Sequence, residues 1–385
     1  MKEKYLIPVY NRVGPVFVKG KGSWLWDDQG NKYLDLFPGW GVGILGHSHP
    51  RIAKVIGEQA GKLIHLPNNL RHPLQEQLGK EIVKNSFPAK VFFANSGTEA
   101  VEGAIKFSRL YGRESGRYEI ITMKNSFHGR SMGGLSATGQ KKYKDPFKPI
   151  VPGFKEAVYG DLSSLEKKVT KKTVAVLLEP IQGEGGVNVP SLEYMRQLRE
   201  FCSERDILLM ADEVQTGMCR TGKMFCYQHY GIVPDVMLLA KGLGAGVPVA
   251  ALVVKKEIAD YLQPGHHAST FGGSPLVCAA GMEVFKVIKE DKLPAYTLKM
   301  GAYFKQRLEQ MQKRFSFIRQ VRGKGLMLGV ELDREAAPVF AAALKEKVII
   351  NATHVNVLRI MPALTVTGKE IDKGLNVLEK IFKSL

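Results

Sequence analysis

Six short apolar runs, spaced by stretches of helical periodicity, constrain this chain more than any other feature. They are VFFAN (91–95), EIITM (119–123), VAVLLEP (174–180), ILLMADEV (207–214), VMLLAKG (236–242) and AALVVK (250–255). A strand that is apolar on both faces needs cover on both faces, which is the condition of a parallel sheet inside helical layers. The segments 51–64, 72–85, 98–111, 191–205 and 275–290 carry the helical spacing that such cover requires. The expected class is therefore α/β, with a mostly parallel sheet and helices on both sides.

The chain ends follow another rhythm. Residues 13–37 alternate apolar and polar positions around GKG and DDQGN turn signals. Beyond about residue 286 the pattern is α+β. A helix is expected over 294–315, a strand pair within FIRQVRGKGLMLGVEL and a last helix over 369–384. A length of 385 residues suits two lobes. The expected division is 48–285 as a large domain, with 1–47 and 286–385 together building a small α+β domain.

The charge balance is basic, with 55 Lys plus Arg against 37 Asp plus Glu, a formal +18. That favours anionic partners. The positive residues are scattered and never interleave with aromatics as a stripe, so solvated surface lysines explain them better than nucleic acid. Four cysteines without a CxxC pair read as free thiols of a cytoplasmic protein. The start, MKEKYLIPVYNRVG, lacks the apolar centre of a signal peptide. The most apolar window, 235–254, holds Lys241 and three glycines, which argues against a membrane span.

In a parallel α/β sheet, ligands gather where strands end. Polar motifs stand at those places. Ser96, Gly97 and Thr98 open a helix after VFFA and can cup an anion, although an ordinary helix cap is the simpler reading. In FHGR, Phe127 can cover a flat ring and Arg130 can grip a carboxylate. Glu184 sits among glycines in EPIQGEGG. Asp212 ends a buried strand and needs a cationic partner. Lys241 enters a glycine turn from another buried strand, where desolvation makes its amine a usable nucleophile. Thr270 precedes two glycines in STFGG and can add a phosphate contact. His47 and His49, without nearby cysteines or paired carboxylates, read as turn residues, and no metal site is expected.

Taken together, NSGTEA, FHGR, LLEPIQGEGG, ADEVQTG, AKGLG, STFGGSPLVCAA and VLRIMPAL make the chain resemble the class III, ornithine-type aminotransferases of fold type I. The resemblance runs from about residue 10 to the last helix. It implies pyridoxal 5'-phosphate as cofactor, a seven-stranded sheet and a homodimer. Lys241 would carry the cofactor as a Schiff base and shuttle the proton. Asp212 would pair with the ring nitrogen, Gln215 with the ring hydroxyl, and Val214 would lie under the ring opposite Phe127. Ser96, Gly97 and Thr98 would hold the phosphate, reached also by Thr270 of the other subunit. Arg130 and Arg359 would bind substrate carboxylates, with Glu184 as a movable partner for Arg359.

The implied reaction transfers the terminal amino group of N2-acetyl-L-ornithine to 2-oxoglutarate. Sibling substrates are succinylornithine, ornithine, 4-aminobutyrate or a lysine-pathway intermediate. The chain departs from the family pattern at Val101 and in PNNLRHP, where Arg71 and His72 stand near the expected substrate mouth and favour an acidic acyl group. The competing reading from another class is a basic nucleic-acid-binding protein, which would carry no chromophore.

Overall fold

A computed structural model describes residues 5–385. Its centre is a seven-stranded sheet in the order Ala89–Ala94, Ala250–Lys255, Val236–Leu239, Leu208–Asp212, Thr173–Leu178, Glu119–Met123, Phe154–Ala157. Ala250–Lys255 runs antiparallel to both neighbours, and every other pairing is parallel. All six apolar runs became strands. The seventh, FKEA, escapes a search for apolar runs because it pairs on one side only and keeps polar residues.

Successive residues of these strands feed two cores. Leu208, Met210, Val236 and Leu238 pack on one face beneath Gly97–Tyr111, through Ala100, Ala104 and Phe107. Leu209, Met237 and Leu239 face the other way, into a core with Leu198, Phe201 and Phe285 from helices Leu192–Glu204 and Pro275–Glu290. Each such leucine removed from water contributes roughly 1.5–3 kcal/mol, which is what lets a sheet with two apolar faces exist.

The helix expected over 51–64 stops at Ala60, where Gly61 caps it; Leu63 and Ile64 continue as exposed loop. The strand read as far as Val214 ends at Asp212. There the aspartate turns its own chain, because its Oδ1 accepts the Val214 N–H at 3.1 Å. The long C-terminal helices run Leu293–Arg314 and Gly368–Phe382, and the glycine-turn pair is Ile318–Lys324 with Met327–Leu332.

The N-terminal sheet, Phe17–Lys21, Trp24–Asp27 and Lys32–Asp35, gains a fourth strand from far along the chain. Val348–Ile349 pairs with it in parallel, Val348 opposite Leu34. Among the described residues no helix is long and apolar enough to cross a membrane. The four cysteines are free and buried.

Candidate active site

The central strands point the same way, so the residues just past their C-terminal ends converge. They line a cavity of about 460 Å3, a size that suits a small molecule. Ser96, Gly97, Thr98, Phe127, Arg130, Glu184, Asp212, Val214, Gln215 and Lys241 all reach it. These are ten of the twelve positions singled out in the sequence. Thr270 is exposed and lines a separate hollow with Asn95, His267 and Ser269, while Arg359 lies behind the cavity wall.

Lys241 follows Val236–Leu239 and is held at φ +43°, a left-handed conformation that lysine adopts only under local constraint. Its amine has no hydrogen bond or ion pair within the described chain. Burial pushes its pKa down, opposed by the charges of Glu184 and Asp212. Part of the residue stays accessible because it faces the cavity.

Asp212 is buried, and its Oδ2 lies 2.8 Å from His128 Nδ1. Both carboxylate oxygens thus have protein partners, which fixes the plane of the group. His128 Nε2 is buried without a partner.

The anion cup is also built. Ser96 caps the helix Gly97–Tyr111 by accepting the Glu99 N–H, so the ordinary capping role is real. Past the cap, the Gly97 and Thr98 N–H groups have no acceptor among the described residues. The helix N-terminus can come this close to Val214 because residue 97 is glycine. A Cβ there would lie 2.9 Å from Val214 Cγ1. Thr98 Oγ1 meets Ser131 Oγ at 2.7 Å.

Arg359, on Val357–Ile360, is fully buried. Its Nη1 lies 2.7 Å from Glu184 Oε1 and donates to Gln215 Oε1 at 3.1 Å. Its Nε and Nη2 both donate to Asn351 Oδ1, and its carbon lies 4.8 Å from the Phe37 ring centroid. Burial is the largest single influence on Glu184 and would raise its pKa, but the charge and hydrogen bond of Arg359, the Lys241 charge and the Gln215 hydrogen bond together hold the carboxyl below its usual value. Arg130 has no counter-ion in the described chain and stacks on Tyr143 at 3.9 Å.

Sequence reasoning missed His128 and Glu179. Glu179 lines the cavity, is buried and ends an apolar run as Asp212 does, which was the available signal. Val101 lines the cavity, whereas Arg71 is exposed and His72 caps Pro73–Asn85 through the Leu74 N–H; neither lines the cavity of this chain. His47 pairs with Asp35 at 2.8 Å, and no cluster among the described residues could hold a metal ion.

A partnerless amine, a fixed buried carboxylate and a free helix N-terminus around an apolar-walled slot make a receptor for a flat, phosphorylated aldehyde with a basic ring nitrogen. The comparisons agree with that receptor. The family model of class-III aminotransferases matches residues 9–382, and the chain belongs to that family. Over its full length it is 47% identical to the acetylornithine aminotransferase of Caldanaerobacter subterraneus subsp. tengcongensis, covering 98% of that protein. Among solved structures, the ornithine aminotransferase of Toxoplasma gondii superposes with a TM-score of 0.95 at 32% identity, covering 99% of this chain and 93% of that one. An amine transaminase from an uncultivated Pseudomonas species, solved in its pyridoxal-phosphate-bound form, gives 0.92 at 28% identity, covering 100% and 99%.

Proposed function

We propose that this protein transfers the terminal amino group of N2-acetyl-L-ornithine to 2-oxoglutarate, giving N-acetylglutamate 5-semialdehyde and L-glutamate in arginine biosynthesis. One observation carries the reading. Arg359 is buried behind Glu184, and Glu184 lines the same cavity as the unpartnered Lys241 amine, so a carboxylate receptor would open onto that cavity if Glu184 swings aside. A reaction whose two half-steps bring one and two carboxylates needs such a receptor. The acyl-ornithine assignment is supported by the similarity to an acetylornithine aminotransferase.

The donor set fits pyridoxal 5'-phosphate, which when bound supplies an electron sink for the carbon that exchanges its amino group. The residues divide the remaining work. Lys241 Nζ holds the cofactor and moves the proton at the reacting carbon, a contribution of roughly 10²–10⁴-fold. Asp212, held in plane by His128, keeps the ring nitrogen protonated. Phe127 and Val214 would cover the ring faces and Gln215 would meet the ring hydroxyl. Ser96, Gly97 and Thr98 hold the phosphate through N–H groups and hydroxyls at a helix N-terminus. Arg130 takes the substrate carboxylate common to both half-steps. Glu184 satisfies Arg359 when the second carboxylate is missing, since a buried guanidinium without a partner is costly.

Thr270 stands outside its own chain's cavity, which fits a homodimer in which it completes the neighbouring phosphate site. We further assign the protein to the cytoplasm and divide it at 47/48 and 285/286, a division supported by the pairing of Val348–Ile349 with Lys32–Asp35.

The test is a substrate panel on the yellow holoenzyme. Cofactor absorbance should shift with N2-acetylornithine and with glutamate, and borohydride should fix the cofactor to Lys241. If other ω-amines react and acetylornithine does not, the named donor is wrong. If borohydride labels no peptide containing Lys241, the site assignment is wrong.

A further inference from the structure

Glu179 is a buried carboxylate that the scheme above does not use. It follows directly on Thr173–Leu178, a strand buried at every position. Its backbone is pinned by tyrosine hydroxyls. Tyr159 donates to the carbonyls of Glu179 and Pro180 at 2.9 and 3.0 Å, and Tyr230 donates to Pro180 at 3.2 Å. The side chain therefore stands on a rigid base. Its Oε1 accepts the Phe127 N–H at 2.9 Å, and its Oε2 accepts the Gly183 N–H at 3.0 Å.

Those two N–H groups belong to different loops. One carries Phe127 and Arg130; the other carries Glu184. Gly183 in turn is pressed against Gln215, where a Cβ would lie 1.8 Å from Oε1, the atom that accepts from Arg359. A second link between the loops, from Gln182 Nε2 to Lys124 O at 2.7 Å, lies away from the cavity. Among the described residues, Glu179 is the one side chain at the cavity wall that accepts a hydrogen bond from both loops.

We propose that Glu179 is a positioning residue that clips the Phe127–Arg130 loop to the Gly183–Glu184 loop, and so sets the spacing between the two carboxylate receptors of the site. The inference rests on the proposed function for what the receptors bind, but the clip itself does not. The chemistry of the partners makes the carboxylate specific. Both partners are N–H donors, so both facing atoms must be acceptors. Glutamine offers one acceptor and turns an NH2 toward the other N–H, leaving a buried donor unpaired. Aspartate keeps two acceptors but is one methylene too short to reach both loops from the same base.

The experiment has two independent readouts. The first is hydrogen exchange. In the wild-type protein, the Phe127 and Gly183 amides should be protected well above other loop amides. In Glu179→Gln at least one of them should exchange about tenfold faster or more. The second is steady-state kinetics of the holoenzyme. Glu179→Gln should raise KM for 2-oxoglutarate about tenfold while kcat changes less than about threefold, the pattern of lost substrate placement with retained chemistry. Glu179→Asp should fall short of rescue.

Wild-type amides that exchange as fast as open loop would overturn the proposal, and this holds even if the variant fails to fold. Faster exchange with an unchanged KM and a collapsed kcat would also overturn it, because Glu179 would then serve the chemistry directly. If the wild-type holoenzyme consumes no amino donor, the proposed function falls, and the exchange data still decide whether the clip exists.

Discussion

Glu184 and Arg359 form a 2.7 Å ion pair in which the carboxylate faces the cavity and the guanidinium lies behind it, fully buried. The arginine cannot leave, because Asn351, Gln215 and the Phe37 ring hold it from three sides. Glu184 sits in a glycine-rich loop and is partly accessible, so it is the member that the proposed mechanism requires to move. In the proposed reaction a dicarboxylate would displace it and a monocarboxylate would leave it in place. Glu184→Gln should therefore leave turnover with glutamate and 2-oxoglutarate largely intact. It should lower kcat/KM for N2-acetylornithine by about ten- to a hundredfold, since a buried charge that loses its partner costs roughly 1.4 kcal/mol or more. Half-reaction rates measured separately with each amino donor would check this. An equal loss for both donors would contradict a mobile lid.

Gly183 offers a steric counterpart. A methyl group at this position meets Gln215 Oε1 at 1.8 Å, so either the loop or the glutamine must move. Gln215 cannot retreat without breaking its bond to Arg359. Gly183→Ala is expected to cost about 1–3 kcal/mol of stability through overpacking. KM for 2-oxoglutarate should rise along with it. Thermal melts and steady-state kinetics on one preparation give both numbers. An alanine variant with native KM would mean that Gln215 does not position Arg359.

The sequence carried most of this arrangement, for a physical reason. Strands buried on both faces are written as continuous apolar runs, and the residues just past them must be where the chain turns and ligands collect. That logic placed Ser96, Asp212 and Lys241 at one cavity. It lost FKEA, since a strand paired on one side needs no continuous apolar run, and it lost the end of 51–64, where Gly61 outweighs the apolar spacing that continues to Ile64. It also passed over His128 and Glu179. Their roles depend on contacts across 84 and 52 residues of chain, to Asp212 and Phe127, and no local pattern encodes such a meeting. Arg359 belongs between these cases: the motif VLRIMPAL marked it through the family resemblance, but its burial behind Glu184 was not legible.

Glu213 gives a pH prediction. It points away from the cavity, and burial, against the bonds from Thr216 and the Tyr227 N–H, pushes its pKa up from 4.5 to about 7. The folded state therefore holds a proton that the unfolded chain releases. The sign follows from linkage: the contribution is fully present below pH 4.5 and is lost as pH rises to about 7, on the order of 3 kcal/mol. Glu213→Gln should remove this slope without unfolding the protein. The amide can still accept from Tyr227, and the Thr216 hydroxyl can reverse to accept from its NH2. Urea midpoints between pH 5 and 8 should thus fall less in the variant than in the wild type. Parallel curves would mean that Glu213 is already ionised in the fold.

Asp212→Asn separates charge from shape. The amide keeps the size of the carboxylate and can still accept the Val214 N–H, but it cannot keep a ring nitrogen protonated as an anion does. His128 Nδ1 now pairs with a neutral group, so the fold should survive with modest loss. Electrostatic stabilisation in a dry site is commonly worth 2.7–4 kcal/mol per lost group, or about 10²–10³ in kcat, and here both half-reactions should fall together. Adding a pyridoxal phosphate analogue methylated at the ring nitrogen restores the positive charge without a proton. It should recover a substantial part of the lost rate in Asp212→Asn and little in Lys241→Ala. A variant that retains wild-type kcat, or one that the methylated analogue leaves inactive while the cofactor is demonstrably bound, would contradict an anion at position 212 acting on the ring nitrogen.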